Sequence, residues 1–448
     1  MFGLAQELEA LAAQGQTIRA GLIGAGQMGT DMVAQVALMP STQIVIVADI
    51  VLERAIKAYE IAGYAPQRVS TAHSLEEANR ALLVGQFVAT DDYRLVTDST
   101  QVQAVIEATG SPEAGARATL RAIHQRKHLV NMSVEMDITI GPLVNWYARQ
   151  HDVVYTLAAG DEPAALYELY DFATALGLTV VAAGKGKNNP LDRAATPDSL
   201  AQEAARRGLT PEMLVEFVDG SKTMIEMAAV ANATGLMPDV RGMHGPKAKM
   251  KELGSVFALK EQGGILGQRG VVDYCIGDLA PGVFLVFTTA SPRLKQCLVL
   301  RDMGYGPNYV LLRPYHLCSM EVPLSVAQAV VRRKPTMAPG KRLVAEVFAV
   351  AKVELAPGTR LERIGGRTHY GLIERAEVAA GLRALPLGIA QGAVVRRKIA
   401  QGEVITCDDV QLPADSLVVT LRRLQEAWMA GQIQEDALKA RLDALAVR

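Results

Sequence analysis

Ile18-Arg-Ala-Gly-Leu-Ile23-Gly24-Ala-Gly26-Gln27-Met28-Gly29 is the stretch whose reading decides the fold. An apolar strand, 19–23, runs into three glycines, and an amphipathic helix pattern follows over 28–38. A second apolar strand, 44–48, then ends at Asp49, twenty positions past Gly29. A glycine triplet between strand and helix, with an acidic residue at the end of the next strand, has the spacing of a dinucleotide-binding turn. Gly24 allows the tight turn, Gly26 lets the backbone approach a pyrophosphate, and Gly29 lets the helix pack on the sheet. Gln27 and Met28 would present the first helical amides to the phosphates. Asp49 would accept from an adenosine ribose hydroxyl, which favours NADH, whereas Arg54, a helical turn further on, would meet the 2′-phosphate of NADPH. Both cofactors stay open at this point.

The composition narrows the partners. The 448 residues carry a formal charge of −1, with both signs interspersed. No polyanion-binding surface is expected, so the partner is a small molecule rather than nucleic acid. No stretch is long and apolar enough for a membrane span, and Leu4, Leu8 and Leu11 read as an amphipathic helix rather than a signal peptide. Cys275, Cys297, Cys318 and Cys407 lack metal-type spacing, which suits reduced thiols in a cytoplasmic protein.

Strand and helix patterns alternate as a doubly wound parallel α/β sheet requires, through strands at 103–108, 128–132 and 153–158 and helices at 51–62, 113–126 and 140–150. The stretch 64–100 reads as an excursion with a short helix at 75–83. This first domain is expected to span 1–176. An α+β domain with a mainly antiparallel sheet follows over 177–334. Its apolar runs are Thr179–Ala183, Val283–Thr288, Gln296–Leu300 and Tyr309–Leu312, and its helices are 198–208 and 221–234. A small all-β module over 342–412 and helices over 413–448, broken near Gly431, complete the organisation.

Ligands of an open parallel sheet collect beyond the carboxyl ends of its strands. Three segments meet that condition: Glu107-Ala-Thr109-Gly110, whose small residues would pass beside the nicotinamide ribose, Asn131–Glu135, and Gly160-Asp161-Glu162-Pro163. Asp161 and Glu162 have two readings: caps complementing a helix dipole, or an acid/base and hard-metal site suited to Mg²⁺ or Mn²⁺. Lys185, Lys187, Asn188 and Asn189, in Gly184–Pro190, would bind a phosphate or carboxylate as a loop after the strand. Asp219-Gly-Ser221-Lys222 opens a helix, where Lys222 would protonate a carbonyl being reduced while Asp219 holds it. The basic loop His244–Lys249 is a weaker anion site, and His316 is either a core histidine or a further polar group.

At these residues the chain resembles the homoserine dehydrogenase superfamily: a Rossmann front, the strand end Glu107–Gly110 and a following mixed domain. That family's catalytic Asp and Lys stand four apart, whereas Asp219 and Lys222 stand three apart. Gly160-Asp161-Glu162-Pro163 is similar instead to the metal-binding strand end of 1-deoxy-D-xylulose 5-phosphate (DXP) reductoisomerases. The layout most resembles the DXP reductoisomerase-like (DRL) enzymes. That resemblance implies NADPH-dependent formation of 2-C-methyl-D-erythritol 4-phosphate in isoprenoid biosynthesis, and a homodimer. It implies a divalent metal on Asp161 and Glu162, Lys185, Lys187, Asn188, Asn189 and Ser221 on the substrate, and Lys222, Asp219 and Glu162 in catalysis. The run Leu385–Val410 is similar to the SAF domain, a small β module. A homoserine dehydrogenase or related dehydrogenase, and an NAD(P)-sensing regulatory protein, are the alternatives.

Overall fold

A computed structural model describes residues 3–447, so Met1 and Phe2 of the first expected domain and Arg448 of the last lie outside the described residues. Internal contacts divide the chain into two units: 1–161 with 317–341 and 416–448, and 162–316 with 342–415.

The first unit begins with helix α1, Leu4–Ala13, and is built on strands β1 Ile18–Ile23, β2 Thr42–Ala48, β3 Val69–Thr71, β4 Phe87–Thr90, β5 Ala104–Glu107, β6 His128–Asn131 and β7 Tyr155–Leu157. They form one seven-stranded sheet in the order β3-β4-β2-β1-β5-β6-β7, and every pair is parallel. The stretch 64–100 therefore adds β3 and β4 to the sheet rather than leaving it. Those strands are too short to show alternation in the sequence. The crossovers are α2 Gln27–Val36, α3 Leu52–Ile61, α4 Leu75–Leu83, α5 Tyr93–Asp98, α6 Pro112–His124 and α7 Val134–Gln150. β1 has β2 on one side and β5 on the other, so the order reverses at β1, and its carboxyl end is the crevice where such sheets take ligands.

Helix α7 starts six residues before the expected 140 and carries Pro142 inside it. Proline removes one rung of the helical ladder and crowds the next. The buried side chain of Gln425 replaces what is lost: its Oε1 accepts from Leu143 N at 3.0 Å and its Nε2 donates to Thr139 O at 3.0 Å. Gln425 lies on the helix Leu417–Met429, which precedes another, Glu435–Ala446, as the periodicity predicts. The latter is held through Asp443, whose Oδ1 accepts from Tyr147 at 2.8 Å and lies 3.1 Å from His151 Nε2, while Lys439 donates to Oδ2 at 2.6 Å.

The second unit opens with α8, Glu162–Ala175, and is built on β8 Thr179–Lys187, β9 Met237–Pro238, β10 Val271–Ile276, β11 Val283–Thr288 and β12 Tyr309–Arg313. The order is β12-β11-β8-β10-β9. β8 pairs antiparallel with β11 and parallel with β10, so the sheet is mixed rather than mainly antiparallel. The run 296–300 belongs to a helix, Pro292–Val299, because Ser291 accepts from Leu294 N as its N-cap and Pro292 fits the first turn. Helices α9 Pro197–Arg207, α10 Pro211–Val218 and α11 Ser221–Thr234 follow β8. α8 packs on β8 and β11, and α11 packs on α8 and β10. Phe257, Leu266, Val271, Cys275, Phe284 and Val286 form a buried apolar cluster. Residues 342–415 add the antiparallel pair β13 Ala345–Ala351 and β14 His369–Arg375, a second short pair, Val394–Val395 with Val410–Gln411, and the helix Ala376–Gly381.

Candidate active site

In the first unit the glycines act as their spacing requires. Gly24 has φ +103°, and a Cβ there would stand 2.5 Å from Ala108 O. A Cβ at Gly29 would meet Gly24 O at 2.1 Å, so only glycine lets α2 approach the turn so closely. Gly26 faces open space, and it is exposed together with Gln27 and Met28. No side chain caps α2 at Gly26, which leaves the first amides of the helix to an anion. Asp49 does less for a ribose than expected: Oδ2 accepts from Ala25 N at 2.8 Å and Oδ1 from Val51 N at 2.9 Å, so both oxygens already brace the turn. A cleft of about 410 Å³ beside Gly26 is lined by Gln27, Thr30, Arg54 and Lys57, two of them cations.

Beyond β5, Thr109 donates through its N–H to the buried Glu107 at 2.8 Å and also through its hydroxyl, fixing the turn that presents the exposed Gly110 at φ +65°. Burial raises the Glu107 carboxyl above its ordinary range, against the hydrogen bonds it accepts from Thr109.

In the second unit β8 runs four residues beyond its expected end, through Gly184–Lys187, because β10 and β11 pair with it there. Lys185 and Lys187 are thus buried strand residues, not parts of an open loop. Two apart on the strand, they share one face. Lys185 Nζ donates to Glu162 Oε1 at 2.6 Å and to Glu226 Oε2 on α11. His316 Nε2 stands 3.4 Å from the same Glu162 oxygen. Burial alone would lower the Lys185 pKa, but the charges of Glu162 and Glu226 outweigh it and raise it. Glu226 is raised by burial and then by Glu162, against the pull of Lys185 and Lys222. Lys187 donates to Phe217 O at 2.5 Å, and burial followed by the charge of Lys185 lowers it to about 8.

Other expected residues are placed differently. Asp219 is held by Lys352, at 2.9 Å, rather than standing as the simple cap-and-lysine pair with Lys222 that the spacing suggests. Ser221 is buried, and its Oγ accepts from Gly371 N at 2.8 Å, so it joins helix to strand instead of facing a ligand. Asn188 is exposed, and Asn189 accepts from Arg207 at 3.1 Å. His244 Nδ1 donates to the Asp273 carboxylate at 2.8 Å and its pKa is raised by that hydrogen bond, so its loop is neutralised locally. Glu226 was not foreseen. Its signal was an acidic residue in the otherwise apolar run 224–231, four positions after Lys222.

Residues 160–322, which contain Glu162, Lys185, Lys222, Glu226 and His316, match the sequence family described as oxidoreductase DRL, catalytic domain. The chain carries a DRL-type oxidoreductase domain. With the dinucleotide turn of its first unit, the protein is an NAD(P)-dependent oxidoreductase. No curated protein matches the sequence. Similar solved structures include a DOX-P reductoisomerase in complex with magnesium, at 12% identity and TM-score 0.41 over 70% of each chain. A probable dehydrogenase from Thermotoga maritima shares 13% identity at TM-score 0.37 over 60% of this chain and 72% of its own. The 1-deoxy-D-xylulose 5-phosphate reductoisomerase from Zymomonas mobilis with NADPH shares 14% identity at TM-score 0.32, over 48% and 58% respectively. At such distances no property of those enzymes transfers to this chain. Within the DRL-type domain, Glu162 and Glu226 are hard oxygen donors of the kind Mg²⁺ and Mn²⁺ take, with carboxylate oxygens within 4.8 Å of one another. The residues fit a divalent cation.

Proposed function

We propose that the protein uses NADPH to reduce a small phosphorylated sugar-like carbonyl, and that the substrate is DXP, converted to 2-C-methyl-D-erythritol 4-phosphate. The observation that carries this reading is the ion-paired set Glu162, Lys185, Glu226 within the segment that matches the DRL catalytic domain. A plain hydride transfer needs one proton donor. Two carboxylates converging on a cation suit a substrate with several oxygens to be held and deprotonated before the hydride moves.

In this reading Asp161, Glu162 and Glu226 would hold a divalent metal, which would supply Lewis-acid polarisation of the substrate oxygens. Lys185 fixes both glutamates in place. Lys222, on the first turn of α11, donates the proton to the oxygen of the carbonyl as its carbon accepts the hydride. Lys187 and the neighbouring Asn188 and Asn189 are the phosphate-binding candidates, Lys187 through its remaining N–H donors. Arg54 and Lys57 beside Gly26 support NADPH over NADH, since both oxygens of Asp49 are already engaged. Residues 342–412 are proposed as a SAF-like module, and the active species as a homodimer.

The test is cofactor oxidation with NADPH and NADH against DXP, aspartate semialdehyde and a panel of sugar phosphates, with and without Mn²⁺. Metal-dependent NADPH oxidation with DXP alone is the expected result. Turnover of aspartate semialdehyde without metal would move the protein to the dehydrogenase class, and tight cofactor binding with no turnover anywhere would make it a sensor.

A further inference from the structure

Lys352, the residue after β13, is buried with its side chain fully enclosed. Its ammonium has three donors and three acceptors: Asp219 Oδ2 at 2.9 Å, Ala195 O at 2.8 Å and Gly366 O at 2.9 Å. Every donor is used. The other oxygen of Asp219, Oδ1, accepts from Ser221 N at 2.8 Å, the first residue of α11. The same helix carries Lys222 at the next position and, a turn further on, Glu226, which faces Lys185. Ser221 Oγ in turn accepts from Gly371 N of β14, and Asn232, near the far end of α11, accepts from Val344 N, just before β13, and from Ala345 N, its first residue. The β13–β14 pair therefore meets α11 at both ends, and Lys352 adds a charged contact to Asp219 at the end that bears Lys222.

We propose that Lys352 is a positioning residue: by holding Asp219 it sets the first turn of α11, and through it the place of Lys222 and Glu226, which gives residues 342–415 a part in catalysis. A neutral hydrogen-bonding side chain would serve if only packing were at stake. A buried ammonium is costly to desolvate and is satisfied only when all three acceptors are in place, so the turn has one arrangement. The inference rests on the oxidoreductase reading above.

Burial raises the Asp219 carboxyl, while Lys352 and the Ser221 N–H pull it down. Without Lys352 the burial effect is unopposed by any adjacent cation of that module. The other titratable groups around the pair are Lys187 of β8, which feels the charge of Asp219, and His369 of β14, which burial and Lys352 lower to about 4.

The experiment compares the full-length wild type with Lys352→Met and with Asp219→Asn/Lys352→Met. Lys352→Met is expected to lower kcat by roughly 10- to 100-fold, as sub-ångström to ångström misplacement of reacting groups does, with the NADPH dissociation constant unchanged. Its kcat profile gains a new limb in which activity recovers as pH falls and Asp219 takes up a proton. The double variant lacks that limb and regains most of kcat, although Lys187 and His369 remain. Amide exchange of residues 219–226 rises in Lys352→Met and returns in the double variant. Wild-type kcat and pH profile in Lys352→Met would overturn the proposal, and so would a double variant as impaired as the single one. If neither variant folds, Lys352 is a folding residue and the proposal fails. A wild type inactive on every carbonyl would sink the reaction assigned above, while the exchange experiment would still test the Lys352–Asp219 linkage.

Discussion

Gly26 and Gly29 sit three residues apart on the same turn, and replacing each with alanine separates what the protein needs from what the cofactor needs. At Gly29 a Cβ lands 2.1 Å from the Gly24 carbonyl oxygen, so about 1 Å of backbone must move. Overpacking of that kind costs about 1–3 kcal/mol. At Gly26 φ is −69° and no protein atom lies within 4 Å of the new Cβ. The loss of a good N-cap residue and the gain from a stiffer unfolded chain nearly cancel, leaving stability within about 1 kcal/mol of wild type. The open space at Gly26 is where a pyrophosphate would come, so the methyl group should weaken NADPH binding by roughly 10- to 100-fold, or about 1.4–2.8 kcal/mol. Calorimetric titration with NADPH and thermal unfolding of both variants read the two effects apart. Gly29→Ala should lose several degrees of Tm, at roughly 2–4 °C per kcal/mol for a unit of this size, and Gly26→Ala should lose affinity only. If Gly26→Ala binds NADPH as wild type does, the turn does not hold the pyrophosphate and the assignment of this crevice is wrong.

Arg54→Ala and Lys57→Ala should each reduce the preference for NADPH over NADH by roughly tenfold, about 1.4 kcal/mol, in kcat/KM with the two cofactors; an unchanged ratio would place the 2′-phosphate elsewhere. Lys185→Met leaves Glu162 and Glu226 facing each other and should destabilise the fold by about 3–5 kcal/mol in urea unfolding, with Lys185→Met/Glu226→Gln recovering part of the loss; no recovery would mean that packing rather than charge sets the cost. Burial raises Asp137, which accepts from Tyr155 at 2.8 Å, from 3.8 to about 7. The folded chain thus keeps a proton that the unfolded chain releases near pH 4, and stability falls as pH rises from there to about 7, by about 1.4 kcal/mol per unit. Asp137→Asn should remove that slope between pH 5 and 7, and an unaltered slope in denaturant midpoints would show that Asp137 is not its source.

The sequence was most legible where one physical rule acts locally. The β1–α2–β2 unit follows from apolar periodicity and three glycines, and α11 was located to the residue, Ser221–Thr234, by its long apolar run after Asp219-Gly220. Legibility failed where partners come from afar. Lys185 and Lys187 look like a basic loop until β10 and β11, about ninety residues later, draw them into a strand. Asp219 lies three residues before Lys222, yet its cation is 133 positions away, at Lys352. Gln296–Leu300 is apolar enough for a strand, but a Ser-Pro start made it a helix. Polar residues at a helix start suit a site, which points Ser221 and Asp219 toward the substrate, but both are buried in the fold.

Gln425 closing the ladder around Pro142 has a consequence for the order of synthesis. The first unit needs the helices 417–429 and 435–446: Leu143 bonds to a residue 282 positions later, and Glu113 accepts from Ser416, Leu417 and Val418. At about 5–20 residues per second, roughly a quarter of a minute to a minute separates the emergence of Asp161 from that of Asp443. During that interval α7 carries an unrepaired break, and the whole second unit is made before the break is closed. The dinucleotide-binding unit is thus begun first and finished last, and a chain stopped after residue 415 should hold a complete second unit and an α7 that still lacks its splint.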